Sequence, residues 1–208
     1  MGSAPDVQPG DRYIKAVAYA TELHRGHVRK GTSLPYLCHL LAVSASVLEA
    51  GGDEDLAIAA LLHDGPEDCG GQATLDAITT TFGPRVGSIV EGCSDSLVAN
   101  PADKAPWRER KTAYIAHLAH ASDDVLMVVA ADKLHNTRAI VTDLDCLGVE
   151  ALSRFNAPTH GDIRWFYRGV LDALLERNVS PTLTKPLTRA VEDLESYLAI
   201  DAIVQANA

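Results

Sequence analysis

The chain has 208 residues, 47% of them hydrophobic and 22% charged, which is enough for a single domain with a sizeable core. Its formal charge of −10 disfavours a nucleic-acid backbone as partner, because such binding is driven by clustered Lys and Arg; a small phosphorylated ligand is still compatible if a local basic cluster and a metal offset the field. No apolar run reaches the ~18 residues of a spanning helix, and the start MGSAPDVQPG lacks the basic and apolar parts of a signal peptide, so a soluble, cytoplasmic protein without a membrane partner is expected.

Asp6 stands where a myristoylation motif wants Ser or Thr. Residues 1–10 read as a disordered or expression-derived start, and residues 11–208 as one domain. The cysteines Cys38, Cys69, Cys93 and Cys146 stand singly with no C-x-x-C pair, which argues against a zinc ribbon and a disulfide framework alike. Reduced thiols packed as small apolar residues are expected.

Periodicity is helical nearly throughout. Tyr13, Ile14, Val17, Ala20 and Leu23 recur at three- and four-residue steps across residues 11–28, and HLLAVSASVLEAGG does the same before stopping at a Gly pair. DEDLAIAALLHD opens on acids suited to a helix N-terminus, and Gly65-Pro66 should end it. TLDAITTTFG and PRVGSIVEGCSD predict two short helices, one stopped by Gly83 and one started by Pro84. The polar stretch SDSLVANPADKAPW reads as a loop or lid. Helices resume at RERKTAYIAHLAHA and DDVLMVVAADKLHNTRAIVTDL, followed by two more at about 161–177 and 184–205. No alternating strand or internal repeat is found, although VLMVVAA alone imitates a buried strand. The expected fold is all-α, a single multi-helix domain.

Ionisable residues fall at unusual places on these helices. LLHDGPED ends an Ala/Leu helix in His63 and Asp64, then sets Glu67 and Asp68 just beyond a Gly-Pro break; acids packed so closely repel unless a cation or proton is supplied. Asp132 lies inside the apolar run VVAADKLHN, where a lone carboxylate is expensive. His39 opens an apolar helix between PYLC and LLAV. Taken singly, such a His is more often a hydrogen-bonded core residue and such an Asp an ion-paired one. Together, two imidazoles and two carboxylates from three segments form a mixed N/O set suited to a divalent ion of the Mn, Fe or Zn kind.

In order and spacing, HRGHVRKGTSLPYLCHLLAVSASVL, AALLHDGPEDCG, TLDAITTTFGPRVGSIVEGCSD and VVAADKLHNTRAI resemble the successive motifs of HD-domain hydrolases of the RelA/SpoT type, in particular the small single-domain alarmone hydrolases; the resemblance spans roughly residues 13–175. It implies an all-helical HD-domain bundle in which His39, His63, Asp64 and Asp132 hold one metal ion, usually Mn²⁺, with Zn²⁺, Fe²⁺ or Mg²⁺ as other choices. The H-D-x-x-E-D pattern gives Glu67 and Asp68 catalytic roles, consistent with a carboxylate that orients the attacking water or moves its proton.

The same resemblance places Arg29 and Lys30 beside the nucleotide, matching the chemistry of Arg forks and Lys point charges on phosphate. Asn136, four residues after Asp132 and on one helical face with it, is placed against the nucleotide, with Lys133 a weaker candidate on a neighbouring face. Trp165, Tyr167 and Arg168 in RWFYRGVL are implied to border base and ribose, and His24 to take a pocket or supporting position. Arg108, Arg110 and Lys111 form a second basic patch that either faces the phosphates or is simply solvated. His117 and His120 have no counterpart and are assigned to a helix surface.

The pattern departs from the family at His27, where Gln is frequent, at Gly31, at Gly65-Pro66 in place of a Thr-Val type pair, and at Cys69 in place of Thr. The first two leave nucleobase preference open, while ligands and acids survive. H-E-x-x-H, P-loop, G-x-S-x-G and G-x-G-x-x-G signatures are absent. The expected activity is hydrolysis of the 3′-pyrophosphate of ppGpp or pppGpp to GDP or GTP. The alternatives are the same site acting on an adenosine alarmone, NADPH or a nucleotide phosphate ester, and a nucleotide-binding sensor without turnover. Alarmone synthesis is not expected, since no synthetase motif is present, and oligomeric state is not readable.

Overall fold

The computed structural model describes residues 9–206 and is all-α. Its described helices are α1 (Asp11–Leu23), α2 (Leu37–Glu49), α3 (Glu54–Leu62), α4 (Gly65–Asp68), α5 (Gln72–Phe82), α6 (Pro84–Cys93), α7 (Trp107–Leu118), α8 (Asp123–Leu147), α9 (His160–Glu176) and α10 (Pro181–Ala206). The axis is α3. Every residue from Leu56 to Leu62 is buried, and a helix apolar on all sides must be enclosed by others. Here α1, α2, α6 and α8 enclose it. Asp53 starts it by accepting a hydrogen bond from the Leu56 amide at 3.0 Å.

The 25-residue α8 is the second organising element, capped by Ser122, and VLMVVAA lies within it as helix rather than strand. Its first half, Val125 to Leu134, joins the main core with α2, α3 and α6. Its second half, through Ile140 and Leu144, builds a smaller apolar cluster with Leu152, Ile163, Leu194 and Leu198. Asp132 sits near the junction of the two. None of the described helices is long and apolar enough to cross a membrane.

Several boundaries differ from expectation. The first helix stops at Leu23 rather than near residue 28, because Gly26 turns left-handed (φ 79°) and the chain doubles back, with Arg29 N–H donating to the Leu34 carbonyl at 2.8 Å and an isolated bridge between Val28 and Pro35. Gly65-Pro66 does not simply stop a helix. α3 already ends at Leu62, and the pair opens the one-turn α4, with Pro66 in the first turn where its missing N–H costs nothing. Gly65 is buried there, and a Cβ on it would lie 2.9 Å from Leu23 Cδ2. A 3₁₀ segment, Val149–Arg154, had no sequence signal. All four cysteines are free, but Cys38 and Cys146 are exposed rather than packed, Cys38 because it opens onto a surface cleft. The expected disordered start falls, for residues 1–8, outside the described residues.

The polar stretch is a loop over 94–106 containing one 3₁₀ turn, and it is pinned to α5: the Gln72 amide donates to the Leu97 carbonyl at 3.1 Å. Gly71 permits this contact, with φ of 64° and space for no side chain, since a Cβ would lie 2.2 Å from the Leu97 oxygen. Gly71→Ala should therefore destabilise the fold by about 2 kcal/mol, or roughly 4–8 °C in Tm, measured by thermal unfolding. An unchanged Tm would show that the loop yields freely.

Candidate active site

His39 enters from the first turn of α2, His63 and Asp64 occupy the joint between α3 and α4, and Asp132 comes from the middle of α8. Residues 93 positions apart thus converge. His63 Nε2 lies 3.1 Å from Asp64 Oδ2 and 3.6 Å from Asp132 Oδ1, and His39 Nε2 lies 3.4 and 3.3 Å from the same two oxygens. Both Nε2 atoms are buried and have no hydrogen-bond partner. These His–carboxylate spacings match those of neighbouring ligands on one divalent ion, which at bond lengths of about 2.1 Å are separated by roughly 3.0–3.4 Å; His39, His63 and Asp64 form the group compact enough to hold one, with Asp132 beside both imidazoles.

The outer nitrogens are fixed as a metal centre requires. His63 Nδ1 donates to the Ala60 carbonyl at 2.8 Å, leaving Nε2 as the lone pair. His39 Nδ1 lies 2.8 Å from His135 Nδ1. Burial lowers the His135 pKa to about 4, and a neutral ring with its proton on Nε2 can accept from His39 and leave the His39 Nε2 lone pair free. Tyr36 donates its hydroxyl to Asp64 Oδ2 at 2.6 Å. Lys133 Nζ meets Asp132 Oδ2 and lies 5.6 Å from the centroids of the Tyr114 and Phe166 rings.

Burial drives both carboxylates toward protonation, yet their partners win. Lys133 and the two imidazoles hold Asp132 well below the usual carboxylate range, and His63 does the same for Asp64. His63 is correspondingly raised, against its own burial, chiefly by the Asp64 charge.

Glu67 and Asp68 lie on α4, one short turn from Asp64. Burial, reinforced by the Asp95 charge, pushes Glu67 up to about 7, with Lys111 opposing. Glu67 accepts the Asp95 amide, and the nearly enclosed Asp95 carboxylate is held by Arg110 and Lys111. Lys104 Nζ reaches the Glu67 carbonyl at 3.1 Å. Asp68 keeps an exposed surface, yet burial of its carboxyl and the Asp64 charge push it up to about 6.

A cleft of about 360 Å³ opens beside this centre, lined among others by Arg29, Lys30, Tyr36, His39, His135 and Arg154. Arg29 donates to Asn136 Oδ1 at 2.7 Å and Asn136 Nδ2 donates to Asp132 Oδ1, so three of the sequence-predicted residues form one chain. Lys30 meets Asn156 at the rim. Tyr167 is partly buried within reach of the Lys133 and Asp132 charges. None of Trp165, Tyr167 and Arg168 lines the cleft. Trp165 packs under the Arg108 guanidinium, 3.4 Å from its ring centroid, and Arg168 pairs with Glu195 on α10. His24 is buried behind Tyr36, stacked on it with centroids 5.0 Å apart, and supports the wall rather than lining it. His117 and His120 are exposed.

Sequence reasoning missed Tyr36, His135, Lys104, Asp95 and Arg154, and underweighted Lys133. Tyr36 and His135 carried a signal, since each is three positions from a predicted ligand and so near its helical face. Asp95, Lys104 and Arg154 carried none.

His135→Ala should weaken divalent-ion binding by about 10–100-fold in calorimetric titration, the usual cost of losing a partner that orients a ligand. A second expectation concerns pH in the cation-free protein. A carboxyl with its folded pKa raised from 4.5 to about 7 favours the fold below its unfolded pKa and loses that contribution as pH rises between the two. Glu67→Gln should therefore raise Tm relative to the parent more at pH 8 than at pH 5, in chelator. An equal effect at both pH values would mean the Glu67 carboxyl is effectively solvated.

Comparisons with known proteins agree with this geometry. The HD domain family model matches residues 16–148, a span containing all four converging residues and both acids. The guanosine-3′,5′-bis(diphosphate) 3′-pyrophosphohydrolase MESH1 of Xenopus tropicalis is 37% identical over 128 residues, covering 60% of this chain and 67% of that protein. A probable GTP pyrophosphokinase of Mycobacterium leprae is 36% identical over 128 residues, but the match covers only 15% of its length. A solved metazoan ortholog of SpoT, described as hydrolysing ppGpp and acting in starvation responses, superposes with a TM-score of 0.69 at 27% identity, covering 89% of this chain and 96% of its own. The match over residues 16–148, with its paired His-Asp joint intact, means that this chain belongs to the HD-domain family.

Proposed function

We propose that this HD-domain protein is a metal-dependent phosphohydrolase that removes the 3′-pyrophosphate of ppGpp or pppGpp, giving GDP or GTP and pyrophosphate. The observation that carries the reading is the approach of His39 and His63 to within 3.1–3.6 Å of Asp64 and Asp132, flanked by the Glu67–Asp68 turn and by a cleft that carries Arg29 and Lys30. The choice of substrate is supported by the MESH1 relatives and the SpoT ortholog.

In this proposal the four converging side chains hold one Mn²⁺. Bound there, the ion would supply Lewis-acid stabilisation of phosphoryl oxygens and lower the cost of deprotonating the attacking water. Water oxygen bonds to the 3′-linked phosphorus, the bond to the ribose 3′-oxygen breaks, and that oxygen takes up a proton. Glu67, held near 7, exchanges protons readily at neutral pH, and Asp68 orients the water or the departing oxygen. Arg29 and Lys30 bind the nucleotide, Asn136 couples Arg29 to Asp132, and Lys111 balances charge beside Glu67. Tyr36, backed by His24, keeps Asp64 oriented.

Anion-exchange chromatography of ppGpp incubated with protein and Mn²⁺ should show GDP and pyrophosphate in equal amounts. Glu67→Gln should lower kcat by about 10²–10⁴-fold, the typical contribution of a positioned acid-base group, while Asp132→Asn should show no turnover. Intact ppGpp would overturn the substrate assignment, and full activity in Asp132→Asn would overturn the ligand set.

A further inference from the structure

Two positions at which this chain departs from the family pattern, His27 and Cys69, are 42 residues apart in sequence and meet in space. The left-handed turn at Gly26 folds the chain after α1 so that the His27 amide donates to the His24 carbonyl at 2.9 Å, and both rings then face the residue that ends α4. Cys69 Sγ lies 3.8 Å from His24 Nδ1 and 4.0 Å from His27 Nδ1. The two imidazoles stand edge to face, with centroids 5.4 Å apart.

These separations suit a single small cation. Bond lengths of about 2.0 Å to nitrogen and 2.3 Å to sulfur at tetrahedral angles place N and S roughly 3.5 Å apart. The two N–S separations need contract by only a few tenths of an ångström, all three ligand atoms lie within 4.8 Å of one another, and the exposed His27 side chain is the one that moves. His24 is anchored by its stack on Tyr36 and is 4% exposed, so one ligand is pre-positioned. The group shares no residue with the His39–His63–Asp64 cluster.

We propose that His24, His27 and Cys69 form a second metal site in this chain, taking a borderline-soft divalent ion such as Zn²⁺ through two neutral imidazoles and one thiolate, with a fourth position open to solvent. Thiolate ligands select soft and borderline metals, which an oxygen-rich site does not. On binding, the Cys69 thiol loses its proton to solvent and the sulfur lone pair forms the bond to the metal. Occupancy ties Cys69, which directly follows Glu67 and Asp68, to the connection that carries Arg29 and Lys30. The second ion thereby sets the spacing between the catalytic turn and the basic rim.

Cobalt distinguishes the two sites without an activity assay, because only a sulfur ligand gives an intense near-ultraviolet thiolate-to-Co²⁺ charge-transfer band. Metal-stripped, reduced protein titrated with Co²⁺ should bind two equivalents and develop that band. Cys69→Ser and the conservative His27→Gln should each lose the band and one equivalent, while Asp132→Asn should lose the other equivalent and keep the band. Cys38→Ser, the control for an exposed thiol, should leave the spectrum unchanged. Absence of the band in the parent protein, or its survival in Cys69→Ser, overturns the proposal. His27 is exposed, so its variant tests the site even where Cys69→Ser proves unstable.

Discussion

Two imidazoles pressed to within 3.1–3.6 Å of two carboxylates inside an apolar bundle are the constraint around which this molecule is arranged. Unneutralised, a buried carboxylate costs several kcal/mol, and two together cost more. Positive charge and hydrogen-bond donors therefore crowd the same point: Lys133 on Asp132, Tyr36 on Asp64, and a proton or a cation at the imidazoles. The enclosing helices are packed on α3, which is buried from Leu56 to Leu62, and the end of that helix is where the donors gather.

The centre is linked mechanically to the cleft beside it. Arg29 touches Asn136, Asn136 touches Asp132, and His135 on the same face of α8 orients His39. A ligand that pulls on the Arg29 guanidinium thus pulls, two hydrogen bonds later, on a carboxylate of the centre. Such charge-assisted links are short and directional, which makes positioning the main thing the surrounding protein contributes. In an acidic protein, Arg29, Lys30 and Arg154 gather positive charge where the cleft needs it.

On the other side of the centre the 94–106 loop acts as a fixed wall. It is held at Leu97 by the Gln72 amide and at Asp95 by Arg110 and Lys111. Through Asp95 it also sets the environment of Glu67, whose raised pKa comes first from burial and then from that neighbouring charge, while Asp64, four positions from Asp68, is held strongly ionised. Carboxyls a few residues apart are driven in opposite directions by their partners, the condition under which one can exchange protons while another stays charged.

The sequence alone gave the helical class and nearly every helix through local periodicity, whereas the candidate ligands His39, His63, Asp64 and Asp132 and the acids Glu67 and Asp68 were singled out by their resemblance to HD-domain motifs. Gly65-Pro66 was legible as a break but not as the start of the turn that carries the acids, since which helix a Gly-Pro pair serves depends on what Gly65 packs against. Trp165, Tyr167 and Arg168, adjacent in sequence, point in three directions, because successive residues on a helix face different neighbours and only the packing of α7 and α10 fixes what those are. Local pattern and motif order singled out the candidate residues. Tertiary packing alone decided which of them share a site, because contacts such as Arg29 with Asn136 or His27 with Cys69 bridge long stretches of chain and are set by how helices enclose α3, which no short-range periodicity encodes.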